Sequence, residues 1–131
     1  MQYCLQADLL APGRARHLLA DLGGRQPGLD RAPVDACIVL SELVTNAVRH
    51  CAGSTIDLDI DLTGEVVRIA VTQHTAEAEV RELTPSTPPW MQESGRGLQL
   101  VDRLSARWGA EPLPDGGLRV WADVPSSSGR Q

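Results

Sequence analysis

Ser41-Glu42-Leu43-Val44-Thr45-Asn46-Ala47-Val48-Arg49-His50 sets a carboxylate, a carboxamide and an imidazole one turn apart on an otherwise apolar stretch. At helical spacing Glu42, Asn46 and His50 share one stripe. Ala36, Leu40, Leu43, Ala47 and Cys51 recur at three- and four-residue steps on another, the pattern of a long helix packed along one side and running to about His50. A carboxylate and a carboxamide four residues apart can face one pocket, the first to polarise a water or hydroxyl, the second to offer an oxygen to a hard cation. A phosphate-bearing ligand requires that chemistry. The same spacing also fits solvent-facing residues on an amphipathic helix, and His50 also fits a cation interacting with the last carbonyls of the helix.

Working outward, Pro12 to Leu22 predicts a helix with Ala15, Leu18, Leu19 and Leu22 on one side, ended by Gly23-Gly24. Tyr3 to Leu5 is a short candidate strand before it. Asp30 is a cap for the central helix, with Pro33 in its permissive first turn. Thr55 to Leu62 alternates, with Ile56, Leu58, Ile60 and Leu62 on one face and Asp57, Asp59 and Asp61 on the other. Thr63-Gly64-Glu65 turns the chain into Val66 to Thr72, where Val67, Ile69 and Val71 again point one way. The two segments make an antiparallel hairpin with one buried face. The alternating aspartates read as the wet face of a strand rather than as a metal cluster.

Between His74 and Gly95 the periodicity disappears, and Pro85, Pro88 and Pro89 break any regular element. An irregular segment of this length suits a binding lid or a disordered loop. Trp90 and Met91 fit a lid anchor, a partner contact or simple packing. Gly97 to Arg107 then predicts a helix with Leu98, Val101, Leu104, Ser105 and Trp108 inward. Asp115-Gly116-Gly117 turns a strand near Ala110–Leu113 into one at Leu118–Val124, and Ser126 to Gln131 reads as a flexible tail. Gly95-Arg96-Gly97-Leu98 opens that last helix. Glycines there let backbone amides approach an anion, and the helix N-terminus adds partial positive charge. A two-glycine turn alone is common. Beside the acid–amide stripe it gains meaning, because one element would hold phosphate oxygens and the other Mg²⁺ and a water.

The 131 residues, 42% of them hydrophobic, suffice for one domain over 1–125 with a single core. A net charge of −5 argues against direct nucleic-acid binding. Lysine is absent, so any phosphate clamp is arginine, backbone amide or metal. Cys4, Cys37 and Cys51 are too few and too dispersed for a disulfide framework or a zinc site and read as buried free thiols. No long apolar run or basic leader appears, so neither membrane insertion nor secretion is expected and the location is read as cytoplasmic. The elements combine into an α+β two-layer sandwich, a mixed, mostly antiparallel sheet covered on one face by helices.

Glu42-Leu-Val-Thr-Asn46-Ala-Val-Arg-His50 resembles the N box of the histidine kinase, gyrase, Hsp90 and MutL superfamily of Bergerat-type ATPases. Gly95-Arg96-Gly97-Leu98-Gln-Leu-Val101-Asp resembles its second glycine box, and Arg107-Trp108-Gly109 and Val120-Trp121-Ala122 are similar to the end of that fold in the bacterial anti-sigma-factor serine/threonine kinases. The resemblance implies Glu42 as general base or orienting group and Asn46 as the Mg²⁺ ligand. It implies Gly95, Arg96, Gly97 and Leu98 around the ATP phosphates and residues 75–94 as the lid. It further implies a sigma factor or an anti-sigma-factor antagonist as partner, usually met by a homodimer of the kinase.

The family's first glycine box is effectively missing from Val71-Thr72-Gln73-His74-Thr75, and two further positions depart from the pattern. Where the family carries an adenine-reading Asp at the end of the central strand, this chain has Gln73, which lacks the charge and is one methylene longer. Where a small hydroxyl residue supports that Asp from the last strand, the aligned position is Arg119, bulky enough to enter the pocket. The expectation from both changes is an anti-sigma-factor-like regulator with weak or absent ATP binding. The alternative is a Mg-ATP-dependent serine/threonine kinase acting on an anti-sigma-factor antagonist.

Overall fold

A computed structural model describes residues 1–25, 34–50, 55–63, 65–73, 95–114 and 117–126. Its elements run β1 (Gln2–Gln6), α1 (Ala11–Arg25), α2 (Val34–His50), β2 (Thr55–Leu62), β3 (Val66–Gln73), α3 (Gly95–Leu104), β4 (Arg107–Pro112) and β5 (Leu118–Pro125). The strands lie in the order β1-β2-β3-β5-β4, and every described pairing is antiparallel. The expected α+β sandwich is therefore present, with helices on one face of the sheet.

Alternation decides the two faces. Ile56, Leu58 and Ile60 of β2, Val67, Ile69 and Val71 of β3, and Leu118, Val120, Ala122 and Val124 of β5 are all buried on the helix side. Against them α2 lays Ala36, Val39, Leu40, Leu43, Val44 and Ala47, each no more than 3% exposed. This stripe is wider than the sequence spacing indicated, because α2 is flanked by α1 and α3 and rests on both β3 and β5. Each fully buried Val or Leu contributes about 1.5–3 kcal/mol relative to exposure.

The β2–β3 hairpin is organised by Thr63. Its hydroxyl donates to the Val66 carbonyl at 2.9 Å and accepts from the Val66 amide at 3.0 Å, so one side chain fixes the turn and with it the register. At the far end, Ser126 is held by its amide to the Glu65 carbonyl at 2.9 Å; residues 127–131 of the expected tail lie outside the described residues.

Several element boundaries differ from the sequence expectation. α1 continues through Gly23 and Gly24 to Arg25; each glycine costs about 1 kcal/mol of helix propensity, and packing against α2 outweighs it. α3 ends at Leu104 rather than Arg107, and Trp108 belongs to β4. The cause is local: the Ala106 amide donates to the Asp123 carbonyl at 2.7 Å, drawing the chain onto the sheet edge. Trp108 still packs against the core, and its Nε1 donates to Asp102 Oδ1 at 3.0 Å, clasping α3 to β4. Cys4 is exposed on β1 instead of buried, while Cys37 is half-buried and burial pushes its thiol pKa up against the opposing influence of Arg16. Cys51 lies outside the described residues.

The opposite face of the sheet carries no described helix and is polar. Along β2 it presents Asp57, Asp59 and Asp61. Asp123 of β5 is its best-buried charge, at 4% side-chain exposure, and accepts from Arg68 Nε at 2.6 Å and Arg107 at 2.9 Å. The two guanidinium groups lie 5.5 and 6.0 Å from the Trp121 ring centroid, within cation–π range. Trp121 leans over Gly109, where an added Cβ would come within 3.1 Å of the indole. Glycine is what lets the ring lie flat on β4. Asp123 thus ties β3, β5 and the edge strand β4 together. Among the described residues no helix is long and apolar enough to cross a membrane.

The Arg68 hydrogen bonds hold the Asp123 carboxyl below the usual carboxylate range, burial opposes them, and Arg107 adds to the lowering. A depressed folded-state pKa contributes stability above the unfolded value of about 3.9 and loses it as pH falls through the folded value. Asp123→Asn should cost about 1–2 kcal/mol at pH 7, given that the guanidinium partners are partly solvated. Urea unfolding followed from pH 7 down to 3 should show a shallower acid limb for the variant than for the parent chain.

Candidate functional site

The ends of the elements decide where the candidate site lies. β3 finishes at Gln73, which pairs with Ile56 near the start of β2 and with Leu118 at the start of β5. The C-terminal end of α2 leads to β2 at this same end of the sheet. α3 reaches β4 through Ser105 and Ala106 at the opposite end, where Arg107 faces Asp123. Its N-terminus, Gly95, therefore points back toward Gln73. The last turns of α2, the end of β3 and the first turn of α3 thus converge on one end of the helix–sheet interface.

Orientation about the α2 axis follows from its neighbours. Arg16 of α1 donates to Ser41 at 3.0 Å and acts electrostatically on Cys37, which marks the α1 flank of α2. At about 100° per residue, Asn46 falls on the flank opposite Cys37, with Glu42 beside it one turn earlier. That flank is turned toward α3, which packs on the other side of α2. The acid–amide pair and the start of α3 are thereby brought to the same side.

Asn46 is 5% exposed and its Nδ2 has no hydrogen-bond partner among the described residues. Leaving a buried polar group unpaired costs about 1–3 kcal/mol, so this position works against the stability of the isolated domain. Helix propensity adds nothing in its favour. The two ends of a carboxamide are distinguished only by the bonds they make, and a half-turn of the group presents Oδ1 at the unpaired position. Glu42 is half-buried on the same flank.

Among the described residues no group of three or more His, Cys, Asp or Glu could hold a metal by itself. A single carboxamide oxygen nevertheless fits Mg²⁺, which keeps several waters and takes most of its remaining ligands from substrate phosphates. With its carboxamide turned over, Oδ1 of Asn46 would stand at the position where Nδ2 has no partner among the described residues and would supply such an oxygen. Gly95, Arg96, Gly97 and Leu98 form the first turn of α3, whose leading N–H groups have no intrahelical acceptor. The side chains of residues 95–98 and of His50 lie outside the described ones, as does the whole expected lid over 75–94.

Gln73 is 6% exposed on the helix side of β3. Arg119 is placed elsewhere. It pairs in register with Thr72 and Glu111 on the polar face of the sheet and donates to Glu111 at 3.4 Å. The strand neighbour of Gln73 on the helix side is Leu118, not Arg119. The expectation that both share one subsite is thus corrected by the parity of β5: a one-residue difference along a strand puts a side chain on the other face.

The sequence reading did not find the Asp123 cluster. Arg68 and Asp123 stand far apart in the chain and meet only through the β3–β5 register. The one available signal was a lone Asp within an apolar strand, which asks for a buried cationic partner.

Comparison with known proteins bears on the same region. The chain matches the family described as the histidine kinase-like ATPase domain over residues 5–121. No curated protein matches it. Among solved structures it is similar to the catalytic domain of the histidine kinase ThkA in a nucleotide-free form, at 17% identity and a TM-score of 0.45, covering 96% of this chain and 95% of that one. With the family match extending from β1 into β5 and enclosing both the acid–amide helix and the glycine-led helix, the chain belongs to the histidine kinase-like ATPase domain family.

Proposed function

We propose that this domain binds a Mg²⁺–nucleoside triphosphate between α2, the end of β3 and the first turn of α3, and donates its terminal phosphoryl group to a protein hydroxyl. The observation that carries the reading is the buried, unpaired amide of Asn46 on the α3 flank of α2. A carboxamide kept buried without a partner is explained by a ligand that supplies one. In this reading Asn46 would hold the Mg²⁺, whose chemistry when bound would be to offset phosphate charge. The amides of Gly95 to Leu98 hold phosphate oxygens at the positive end of the α3 dipole. Glu42 accepts the proton of the attacking hydroxyl.

The competing reading, a regulator without nucleotide, drew on Gln73 and Arg119 disabling one base subsite together. Arg119 occupies the polar sheet face, so that argument keeps only Gln73, and the catalytic alternative becomes the better supported. The acceptor class is taken from the likeness to anti-sigma-factor kinases: a serine on a small antagonist protein, with a sigma factor as competing partner and a homodimer as the working unit.

Titration calorimetry with Mg-ATP should detect saturable binding that weakens when Mg²⁺ is replaced by a chelator. Absence of binding to any nucleoside triphosphate overturns the proposal. Asn46→Leu, which removes the unpaired polar group while keeping the volume, should leave the free protein as stable as the parent or more so by up to about 1–2 kcal/mol, yet abolish Mg²⁺-dependent binding. Thermal melts with and without Mg-ATP measure both effects.

Glu42→Gln should retain nucleotide affinity within about threefold while phosphoryl transfer to an acceptor protein falls by about 100-fold or more, the usual contribution of a positioned base. Transfer of labelled phosphate that persists in this variant assigns the proton to another group.

A further inference from the structure

We infer that the outer edge of β1 pairs antiparallel with the same strand of a second copy of this chain, about a two-fold axis through Cys4; the inference rests on the homodimer in the reading above, not on the nucleotide site. β1 and β4 are the two edge strands of the sheet. β4 carries Arg107, Glu111 and Pro112, charges and a missing donor of the kind that discourages pairing at an edge. β1 carries neither charge nor proline over Gln2-Tyr3-Cys4-Leu5-Gln6, and among the described residues only β2 pairs with it. An unblocked edge of this kind is a template for another strand.

The free groups of that edge follow from its inner pairing. The Met1 ammonium donates to the Ile60 carbonyl at 2.8 Å and the Met1 carbonyl accepts from the Ile60 amide at 2.9 Å, so Met1 and Ile60 form a hydrogen-bonded pair. By alternation Tyr3 and Leu5 also bond inward to β2, and the backbone groups of Gln2, Cys4 and Gln6 point outward. This strand is chemically palindromic about Cys4. In an antiparallel pair centred there, Gln2 of one copy stands opposite Gln6 of the other on the polar face and Cys4 opposite Cys4, while on the helix side Tyr3 stands opposite Leu5. No charge faces a like charge, and each side chain meets one of its own polarity. A two-fold contact requires a strand to complement itself in this way, which favours a second copy over an unrelated strand.

A second observation lies at the ends of the strand. The large apolar side chains that stand exposed among the described residues are Met1, Leu9, Leu10, Val34 and Leu100, and the first three flank β1. Leu9 and Leu10 belong to an ordered turn, in which the Asp8 carboxylate accepts from the Leu10 amide at 2.9 Å and the Asp8 carbonyl from the Ala11 amide at 3.1 Å. Antiparallel pairing brings the start of one β1 beside the end of the other. Met1 of each copy therefore comes beside the Leu9–Leu10 turn of its counterpart, so the exposed apolar groups lie where the second copy covers them.

Sedimentation equilibrium of the full chain should show a monomer–dimer equilibrium. Cys4→Pro removes only an outward N–H, and Cys4→Lys sets like charges across the axis; each should weaken the dimer by about tenfold or more while the far-ultraviolet circular dichroism stays that of the parent. Register is read by mixing two chains, one with Gln2→Cys and one with Gln6→Cys, both carrying Cys4→Ser, Cys37→Ala and Cys51→Ala. Under mild oxidation they should form disulfides with each other and neither with itself, because a hydrogen-bonded antiparallel pair holds its Cα atoms about 5.5 Å apart, within disulfide reach. A parent chain that stays monomeric at millimolar concentration overturns this inference and the homodimer together. A dimer unmoved by both Cys4 variants, or Gln2→Cys chains that link to themselves, places the interface elsewhere and overturns this inference alone. The mixing experiment decides the matter where a Cys4 variant fails to fold, and the nucleotide-binding reading is judged separately by calorimetry.

Discussion

The seating of α2 on β3 and β5 is the constraint from which the rest of this molecule follows. Val39, Leu40, Leu43, Val44 and Ala47 are sealed against Val67, Ile69, Val71, Val120 and Ala122, and a close-packed interface of this kind permits neither rotation nor sliding of the helix without opening voids. Fixing the rotation of α2 fixes which residues stand at its flanks. Ser41 and Cys37 are thereby committed to α1, and Glu42 and Asn46 to the side of α3. The proposed site is in this sense a by-product of core packing, with the polar pair at the border of a stripe that hydrophobic burial holds still.

The two faces of the sheet divide the labour. Among the described residues, the buried polar residues on the helix side are Asn46 and Gln73. On the other side the arrangement is electrostatic. Asp123 accepts from two guanidinium groups, Trp121 lies beside both, and the edge strand β4 is tied to the centre of the sheet. The contrast is informative because the Asp123 cluster is satisfied internally whereas Asn46 is not. A satisfied buried network specifies structure. An unsatisfied buried group is a candidate for function, since the stability it forfeits can be recovered when a ligand is bound.

α3 connects these layers. Its end is held by the Ala106–Asp123 backbone bond and by Trp108 on Asp102, so the turn that begins at Gly95 starts from an anchored helix. A helix short enough to be marginal alone becomes a rigid mount when its C-terminal half is clasped in this way. Preorganised backbone amides are more effective toward an anion than amides that must first be ordered.

Much of this was legible in the sequence. Strict alternation in 55–62 and 66–72, the three- and four-residue steps of α2, and the order of an acid–amide helix followed by a glycine-led helix determine an α+β sandwich and single out Glu42, Asn46 and Gly95–Leu98, because periodicity and spacing are local properties of the chain. The termini of α1 and α3 were misread because tertiary packing overrides glycine propensity at Gly23 and a single backbone bond at Ala106 diverts the chain into β4. Only the tertiary structure decided that Asn46 is buried with its Nδ2 unpartnered among the described residues, that Arg68 and Arg107 meet on Asp123, and that Arg119 stands on the opposite face from Gln73. Those facts depend on strand register and helix rotation, which are set by contacts between residues far apart in sequence.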